Sequence, residues 1–505
     1  MNNEQLIVNS KKKANIKDKT YTMRRKNLLI GAMMIIMSAP AMAQSQPDQI
    51  MTQVSAILKS NSADATSQIE AIAKENKKNA NALASIAKAY VAAKDYDKAE
   101  EYANKALELV NKKGTPEEKG SIYVLVGNVA VAKDDGGKAA EWFQQAMYAD
   151  PKNPDGYRRY AQIMSKTDPS GAVQTLEALR AQRPDYPVDL IAAEIYSSSG
   201  KMKQAIEYYA KVKLDDMKDY QVSDYATNLF LSKEYDKSLE IANYGHQKWN
   251  RNASMNRLIL FNNVSKKDFD AAIAAGNNLF NASDSAKFSA YDYNYYATAL
   301  EGAKKYEEAI TYYQKIQQLE GIDAATVTEK NKAISDCYKK LSNYDKAGEY
   351  LDKYLQGQTG KSFSLEETLA ALYADELMDD NTTPERKKEA FKKADELYAA
   401  LAEKYPTNAA YVAMKRSRFP FALPAISDLE KLKMAAVHYQ TLATLLEAET
   451  DRSAGETKML INAYEAICTN YVHNLNDMAK AKEYAEKLIQ LNPESANAKA
   501  ILSLK

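Results

Sequence analysis

Gly357-Gln358-Thr359-Gly360-Lys361-Ser362 is a stretch of this 505-residue chain that ends like a phosphate-binding loop. That loop needs a glycine five residues before Gly360, where the sequence has Leu355, and a strand leading into it, whereas Ala347 to Tyr354 has helical spacing. Nucleotide binding is therefore not expected, and the stretch reads as a glycine-containing connector that ends a helix. The three histidines, His246, His438 and His473, are scattered. Neither H-E-x-x-H nor G-x-S-x-G occurs, so there is no sequence signature of a zinc protease or of a serine nucleophile on a strand-to-helix elbow. Two cysteines, Cys337 and Cys468, are too few for a disulfide framework or a thiolate metal site, and read as small packing residues. No catalytic, cofactor-binding or metal-ligating residue is assigned, and the chain is not expected to be an enzyme. A hydrolytic site in the C-terminal part would require a buried carboxylate pair near Phe419.

The elements that must position any functional residue are helical. The chain is 45% hydrophobic and 27% charged with a formal net charge of +1, which gives bulk electrostatics no role in binding nucleic acid. Its 17 glycines and 13 prolines are about half of what typical frequencies of roughly 7% and 5% would supply. So few turn-formers predict helices joined by short connections. Residues 1–43 stand apart: basic residues from Lys11 to Lys26, the apolar run Leu28 to Met37, then Ala41-Met42-Ala43. This order describes a secretory signal peptide cleaved before Gln44. Met23 would itself make an ordinary start, so residues 1–22 are read as a segment that need not be translated. Removing residues 1–43 leaves 60 basic against 65 acidic residues, a balance of −5. No cysteine lies near Gln44 to accept a lipid, and no later stretch approaches the roughly 20 apolar residues that span a bilayer. The expectation is a soluble chain in the periplasm or beyond it, without stable membrane insertion.

A repeated phrase runs through the rest: an aromatic, an acid, then two residues ending in a small one. It appears as Tyr96-Asp97-Lys98-Ala99, Tyr235-Asp236-Lys237-Ser238, Phe269-Asp270-Ala271-Ala272, Tyr306-Glu307-Glu308-Ala309 and Tyr344-Asp345-Lys346-Ala347. The steps from Tyr235 onward are 34, 37 and 38 residues. Twelve residues before the small residue there is often another, as Ala87, Gly127, Ala193, Ala226 and Ala297, and twelve after it often a proline, as Pro151, Pro184, Pro406 and Pro493. Apolar or small residues four and seven places on, as in Ala139, Phe143 and Ala146, mark one face of a helix. On these residues the chain resembles the tetratricopeptide repeat family, whose units are 34-residue helix–turn–helix pairs. The resemblance implies an all-α fold, an α-α superhelix or solenoid of about 10–12 helix pairs. Residues 44–79 form a degenerate first pair, 80–360 the regular array, 361–493 longer irregular units and 494–505 a capping helix. In such an array only neighbouring repeats touch, so Cys337 and Cys468, 131 residues apart, should not pair.

The resemblance also implies a groove lined by the first helix of each pair. Carried over position by position, the groove residues are Lys88, Asn128, Arg158, Gln162, Glu194, Thr227, Arg257, Phe261, Asn294 and Lys332. The set is polar and mixed in charge, without the lysine and asparagine clamp of the chaperone-adaptor members. The 35 tyrosines mostly fall on the packing frame, but Tyr291, Tyr293, Tyr295 and Tyr296 are denser than one packing face requires. Tyr291 and Tyr293 are thus candidate aromatic contacts. Phe419 and Phe421, in the proline-broken Arg418 to Pro424, either tuck into the array or meet a partner, and tucking in is the favoured expectation. Asp284-Ser285-Ala286 resembles a short acceptor motif for O-glycosylation of exported proteins. Two functions follow as expectations: a non-catalytic scaffold that binds a protein or peptide in its groove, or a carbohydrate-binding accessory protein with a tyrosine platform.

Overall fold

The structure is a computed structural model that describes residues 46–284 and 287–504. The signal peptide and Ser285 lie outside the described residues. The described chain contains 25 α-helices, three short 3-10 turns and no strand, and divides into two units at Gly200.

Unit 1 holds α1 (Gln46–Ser60), α2 (Ala65–Glu75), α3 (Ala80–Ala93), α4 (Tyr96–Lys113), α5 (Pro116–Ala132), α6 (Gly136–Ala149), α7 (Pro154–Met164), α8 (Pro169–Gln182) and α9 (Val188–Ser198). Helices α3 with α4, α5 with α6, and α7 with α8 form antiparallel pairs, and α1 lies on α3 at the start of the array. The first helices also touch one another, α3 with α5 and α5 with α7. Ile50, Val54, Ile69, Leu83, Ile86 and Leu125 belong to one apolar cluster running through these layers.

Unit 2 holds α10 (Met202–Tyr209), α11 (Asp219–Leu231), α12 (Tyr235–Lys248), α13 (Ala253–Lys266), α14 (Phe269–Ala282), α15 (Ala290–Gly302), α16 (Tyr306–Gln317), α17 (Ala324–Lys340) and α18 (Tyr344–Gln356). It continues with α19 (Phe363–Met378), α20 (Pro384–Lys404), α21 (Ala409–Arg418), α22 (Asp428–Glu447), α23 (Ala454–His473), α24 (Met478–Leu491) and α25 (Ala496–Ser503). From α11 to α24 each odd-numbered helix pairs with the next, and α25 closes the end against α23 and α24. The insertion before Pro384 is a helix start: the Thr383 side chain caps α20, and Pro384 takes the first-turn position where its missing N–H costs nothing. Phe419–Ala422 forms a 3-10 turn after α21.

The turn inside six of these pairs has one construction. A residue in the left-handed region, Lys94, Asp134, Lys233, Lys267, Lys304 or Ser342, follows the first helix. The next N–H then reaches back to the last turn of that helix, as Asp95 to Tyr90 O (3.0 Å), Asp268 to Asn263 O (2.9 Å) and Asn343 to Tyr338 O (2.9 Å). This is the closure of a Schellman motif, which satisfies a carbonyl that the ending helix would leave bare. The same residue often caps the second helix: Asp95 accepts from the Lys98 N–H (3.1 Å), Asp135 from Lys138 (3.1 Å) and Asp268 from Ala271 (3.2 Å). The aromatic-acid-x-small phrase is therefore the first turn of the second helix, placed by a cap just ahead of it.

The small residues sit where the helices cross. Ala87, Ala99, Ala139, Ala226, Ala297, Ala309 and Ala347 are all fully buried. A Cβ on Gly127 would stand 2.5 Å from Cε1 of the buried Phe143 ring, so even a methyl is too large there. Where a polar residue takes the small position, its side chain finds a backbone oxygen across the crossing. Ser238 donates to Ala226 O (2.8 Å), Ser335 to Ala347 O (2.7 Å) and the Cys468 thiol to Ala481 O (3.6 Å). Those bonds offset the cost of burying the hydroxyl or thiol.

Gly127→Ala is expected to destabilise by about 1–3 kcal/mol, as overpacked cores do, read as a lower urea midpoint. Lys94→Gly, Lys267→Gly and Lys304→Gly should each stabilise by about 0.5–1 kcal/mol. Relief of left-handed strain in a non-glycine residue outweighs the added entropy of the unfolded chain. The same urea titration measures both.

Candidate partner-binding face

The sequence-predicted groove residues fall on the first helices, five in each unit. In unit 1 they are Lys88 on α3, Asn128 on α5, Arg158 and Gln162 on α7, and Glu194 on α9. Lys88, Arg158 and Gln162 are exposed, and Asn128 and Glu194 are half-buried. Arg158 donates to Asp155 one turn earlier (2.8 Å). Among the described residues no hydrogen bond or ion pair holds the side chains of Lys88, Asn128 or Gln162.

Unit 2 is different at the same positions. Thr227 turns its hydroxyl back to Ser223 O (2.7 Å). Arg257 forks onto both oxygens of Asp292 (2.5 and 3.0 Å), a carboxylate with no solvent exposure that also accepts from the Ser289 N–H (2.8 Å) as part of the α15 cap. Phe261 stacks on Tyr295 with ring centroids 4.0 Å apart, and Phe230 extends the strip to three helices. Asn294 accepts from Lys330 (2.5 Å), and Lys332 pairs with Asp336 (2.5 Å). Most of these partners lie one repeat away in sequence, so the face of unit 2 spends its polar groups on holding successive pairs together.

The tyrosine run on α15 splits by helical geometry. Residues four apart share a face, so Tyr295 lies with Phe261 on one side while Tyr291, one turn earlier, stays 60% exposed. Tyr293 and Tyr296, three apart, turn the other way. Tyr293 stacks flat on Phe280 (5.3 Å, 2°), and Tyr296 meets Phe280 and Tyr312. One face of the Tyr293 ring is thus occupied within the protein. Of the two phenylalanines around Pro420, Phe419 is buried against the Tyr398 ring (5.5 Å) whereas Phe421 is exposed. Tucking in therefore describes only the first.

The residues with chemical potential are engaged in structure. Burial pushes the Cys337 and Cys468 thiols up to about 12, far from the thiolate form at neutral pH. His438 stands 3.6 Å from Asp395, with Arg416 forked on the same carboxylate (2.6 and 2.8 Å). Burial first, and Arg416 second, hold its imidazole below the usual range. Near Phe419 the carboxylate is Glu367, which accepts from the hydroxyls of Tyr398 (3.0 Å) and Tyr411 (2.8 Å). Gly357 to Lys361 connects α18 to α19, and Ser362 caps α19 by accepting from the Leu365 N–H (3.3 Å). Among the described residues no helix is long and apolar enough to cross a membrane, and no cluster of histidine, cysteine and carboxylate side chains could hold a metal ion.

Sequence reasoning passed over one residue on this face. Arg159 is half-buried on α7 and has no acceptor among the described residues. The other half-buried arginines among the described residues all have one: Arg180, Arg183, Arg257, Arg386 and Arg416 hold carboxylates, and Arg452 holds backbone oxygens. Burial, with repulsion from Arg158, pulls the Arg159 guanidinium below its ordinary value against the attraction of Asp155. The signal available in the sequence was two adjacent arginines, Arg158-Arg159, with one acid, Asp155, a turn before them.

Tandem helix pairs with small crossing residues and a first-helix face of polar side chains define a helical-repeat protein. Family models place the repeat directly: tetratricopeptide repeat models match residues 59–114 and, separately, residues 190–213 and 470–495. The chain carries tetratricopeptide repeats in these segments. Solved structures similar to it include the C-terminal part of a TPR repeat-containing protein from Cytophaga hutchinsonii. It is 20% identical, covers 56% of this chain and 100% of its own, and has a TM-score of 0.36. A tetratricopeptide repeat protein from Parabacteroides merdae is 16% identical over 50% of this chain and 98% of its own, with a TM-score of 0.34. YrrB, described as a TPR protein with an unusual peptide-binding site, is 21% identical over 35% and 89%, with a TM-score of 0.28. A search of the curated proteins finds no match.

Arg257→Met should destabilise by about 3 kcal/mol or more, because it strands the buried Asp292 carboxylate without its counter-ion. Lys88→Ala and Gln162→Ala should stay within about 0.5 kcal/mol of the parent. Thermal unfolding of the three variants checks the contrast between the units.

Proposed function

We propose that this chain is an exported, non-catalytic scaffold that binds a protein or peptide segment along the first-helix face of unit 1. The observation that carries this reading is the uncommitted state of Lys88, Asn128 and Gln162, set against the internally paired residues at the same positions of unit 2. Polar side chains held on rigid helices, with no partner of their own, offer hydrogen bonds to an incoming backbone at little cost in reorganisation. The step from fold to partner binding is an analogy with the family, and the site residues give it a location. The basic, apolar and A-x-A order of residues 11–43 supports export with cleavage before Gln44, and the periplasm is the compartment that goes with this proposal. The carbohydrate reading has less support, since one ring face of Tyr293 is taken by Phe280 and, of the four tyrosines in the α15 run, Tyr291 alone stands well out in solvent.

A photo-crosslinking side chain placed at Asn128 or Gln162 should capture a partner from envelope extract, while the same group at Thr227 should not. Recovery of no partner, or capture only from unit 2, counts against this reading. Export is checked separately, by amino-terminal sequencing of the protein from a periplasmic fraction, with Gln44 expected first.

A further inference from the structure

Within the first-helix face of unit 1, α7 carries Arg158, Arg159 and Gln162 in under two turns. Arg158 is answered by Asp155. Arg159 and Gln162, three residues apart and therefore neighbours on the helix surface, are both without a partner among the described residues. Arg159 is the more telling of the two, because a guanidinium withdrawn from water without an acceptor loses hydration and gets nothing in return. Elsewhere among the described residues a half-buried arginine is always given an acceptor, in most cases a carboxylate held by a two-nitrogen fork, as Asp292 by Arg257, Asp189 by Arg180 and Asp395 by Arg416.

We infer that Arg159, with Gln162 beside it, receives a carboxylate of the bound segment, so that the partner of unit 1 is an acidic peptide. This rests on the partner-binding reading above and adds the chemistry of the ligand. The planar fork of arginine matches the two oxygens of a carboxylate, and the Gln162 amide supplies a further N–H one turn along. A monoanion suits the site better than a phosphate group of charge about −1.5 to −2, because Asp155 already answers Arg158 and only one positive charge is left over. Lys88, exposed on α3 in the same unit, adds positive charge to the face that such a segment would cross.

The test is an array of random decapeptides, each made with a free and with an amidated carboxyl terminus, probed with the purified full chain. Retained peptides should be rich in Asp and Glu. Persistence of binding in the amidated set assigns the carboxylate to a side chain, and its loss assigns it to the chain terminus. For the best peptide, Arg159→Gln should weaken binding by about tenfold or more, the scale of a charge-assisted hydrogen-bonded pair, and Arg159→Lys should recover only part of it. Neutralising the peptide's acid should cost as much in the parent and almost nothing further in Arg159→Gln. The melting midpoint of Arg159→Gln should be unchanged or higher, since no internal hydrogen bond or ion pair is lost and a partly buried charge is removed. Retention that neither prefers acids nor depends on a free carboxyl terminus, carboxylate-dependent binding that survives Arg159→Gln, or a lowered melting midpoint that accounts for the loss would each overturn the assignment and leave partner binding in place. Retention of no peptide at all would overturn both.

Discussion

Two helices can cross closely only where neither carries much beyond a methyl group, and in this protein that requirement recurs at each helix pair. Ala99, Ala139, Ala309 and Ala347 are sealed in their crossings, and Gly127 has the Phe143 ring where its own side chain would begin. Close approach lets larger residues on either side interlock. Leu229, Leu279, Leu300 and Ile316 are all fully buried, each contributing about 1.5–3 kcal/mol by leaving water. The turn must deliver the second helix at the right height for this to happen. A left-handed residue followed by a capping Asp or Asn does so in the same way at Lys94, Lys267 and Ser342. The strain of a lysine or serine in that conformation is tolerated because both flanking helices hold it.

The second constraint acts between pairs. In unit 2, hydrogen bonds tie a residue to one about a repeat away: Arg257 to Asp292, Lys330 to Asn294, Tyr344 to Asp379 and Lys339 to Asp375. The Arg257 tie is the most consequential, because its carboxylate is fully buried and belongs to the cap of α15. A further buried carboxylate, Glu376, is held by Arg386 inside the α19–α20 pair while burial raises its pKa, and Arg386 also reaches Asp345 of the preceding pair. Each such tie removes from the surface a group that would otherwise be free for recognition. Unit 1 makes less use of its first-helix face in this way, and Lys88, Asn128 and Gln162 remain uncommitted there.

Much of the fold was legible in the chain. The aromatic-acid-x-small phrase, the small residue twelve places earlier and the terminal proline are local consequences of one packed unit, and they repeat because the unit repeats. The residues that complete the turn were less visible. Lysine is a poor marker of left-handed backbone, so the positions before Asp95 and Asp268 did not announce themselves as glycines would have. The break at Pro420 was evident as a break, but which ring turned inward was not. Phe419 and Phe421 differ by the direction each takes from a 3-10 turn, which short-range pattern does not encode.

The candidate site shows the same division more sharply. Sequence alone determined that Lys88 and Asn128 in unit 1, and Arg257 and Asn294 in unit 2, take equivalent positions on their first helices, since helical spacing from a small crossing residue fixes direction. Only the tertiary structure decided which of them are occupied. Arg257 is consumed by an aspartate 35 residues away, and Asn294 by a lysine 36 away. Lys88 and Asn128 meet no such partner, and Arg159 stands half-buried without one. The reason is physical: the face a side chain lies on follows from its own helix, whereas the charge it meets is supplied by the next repeat.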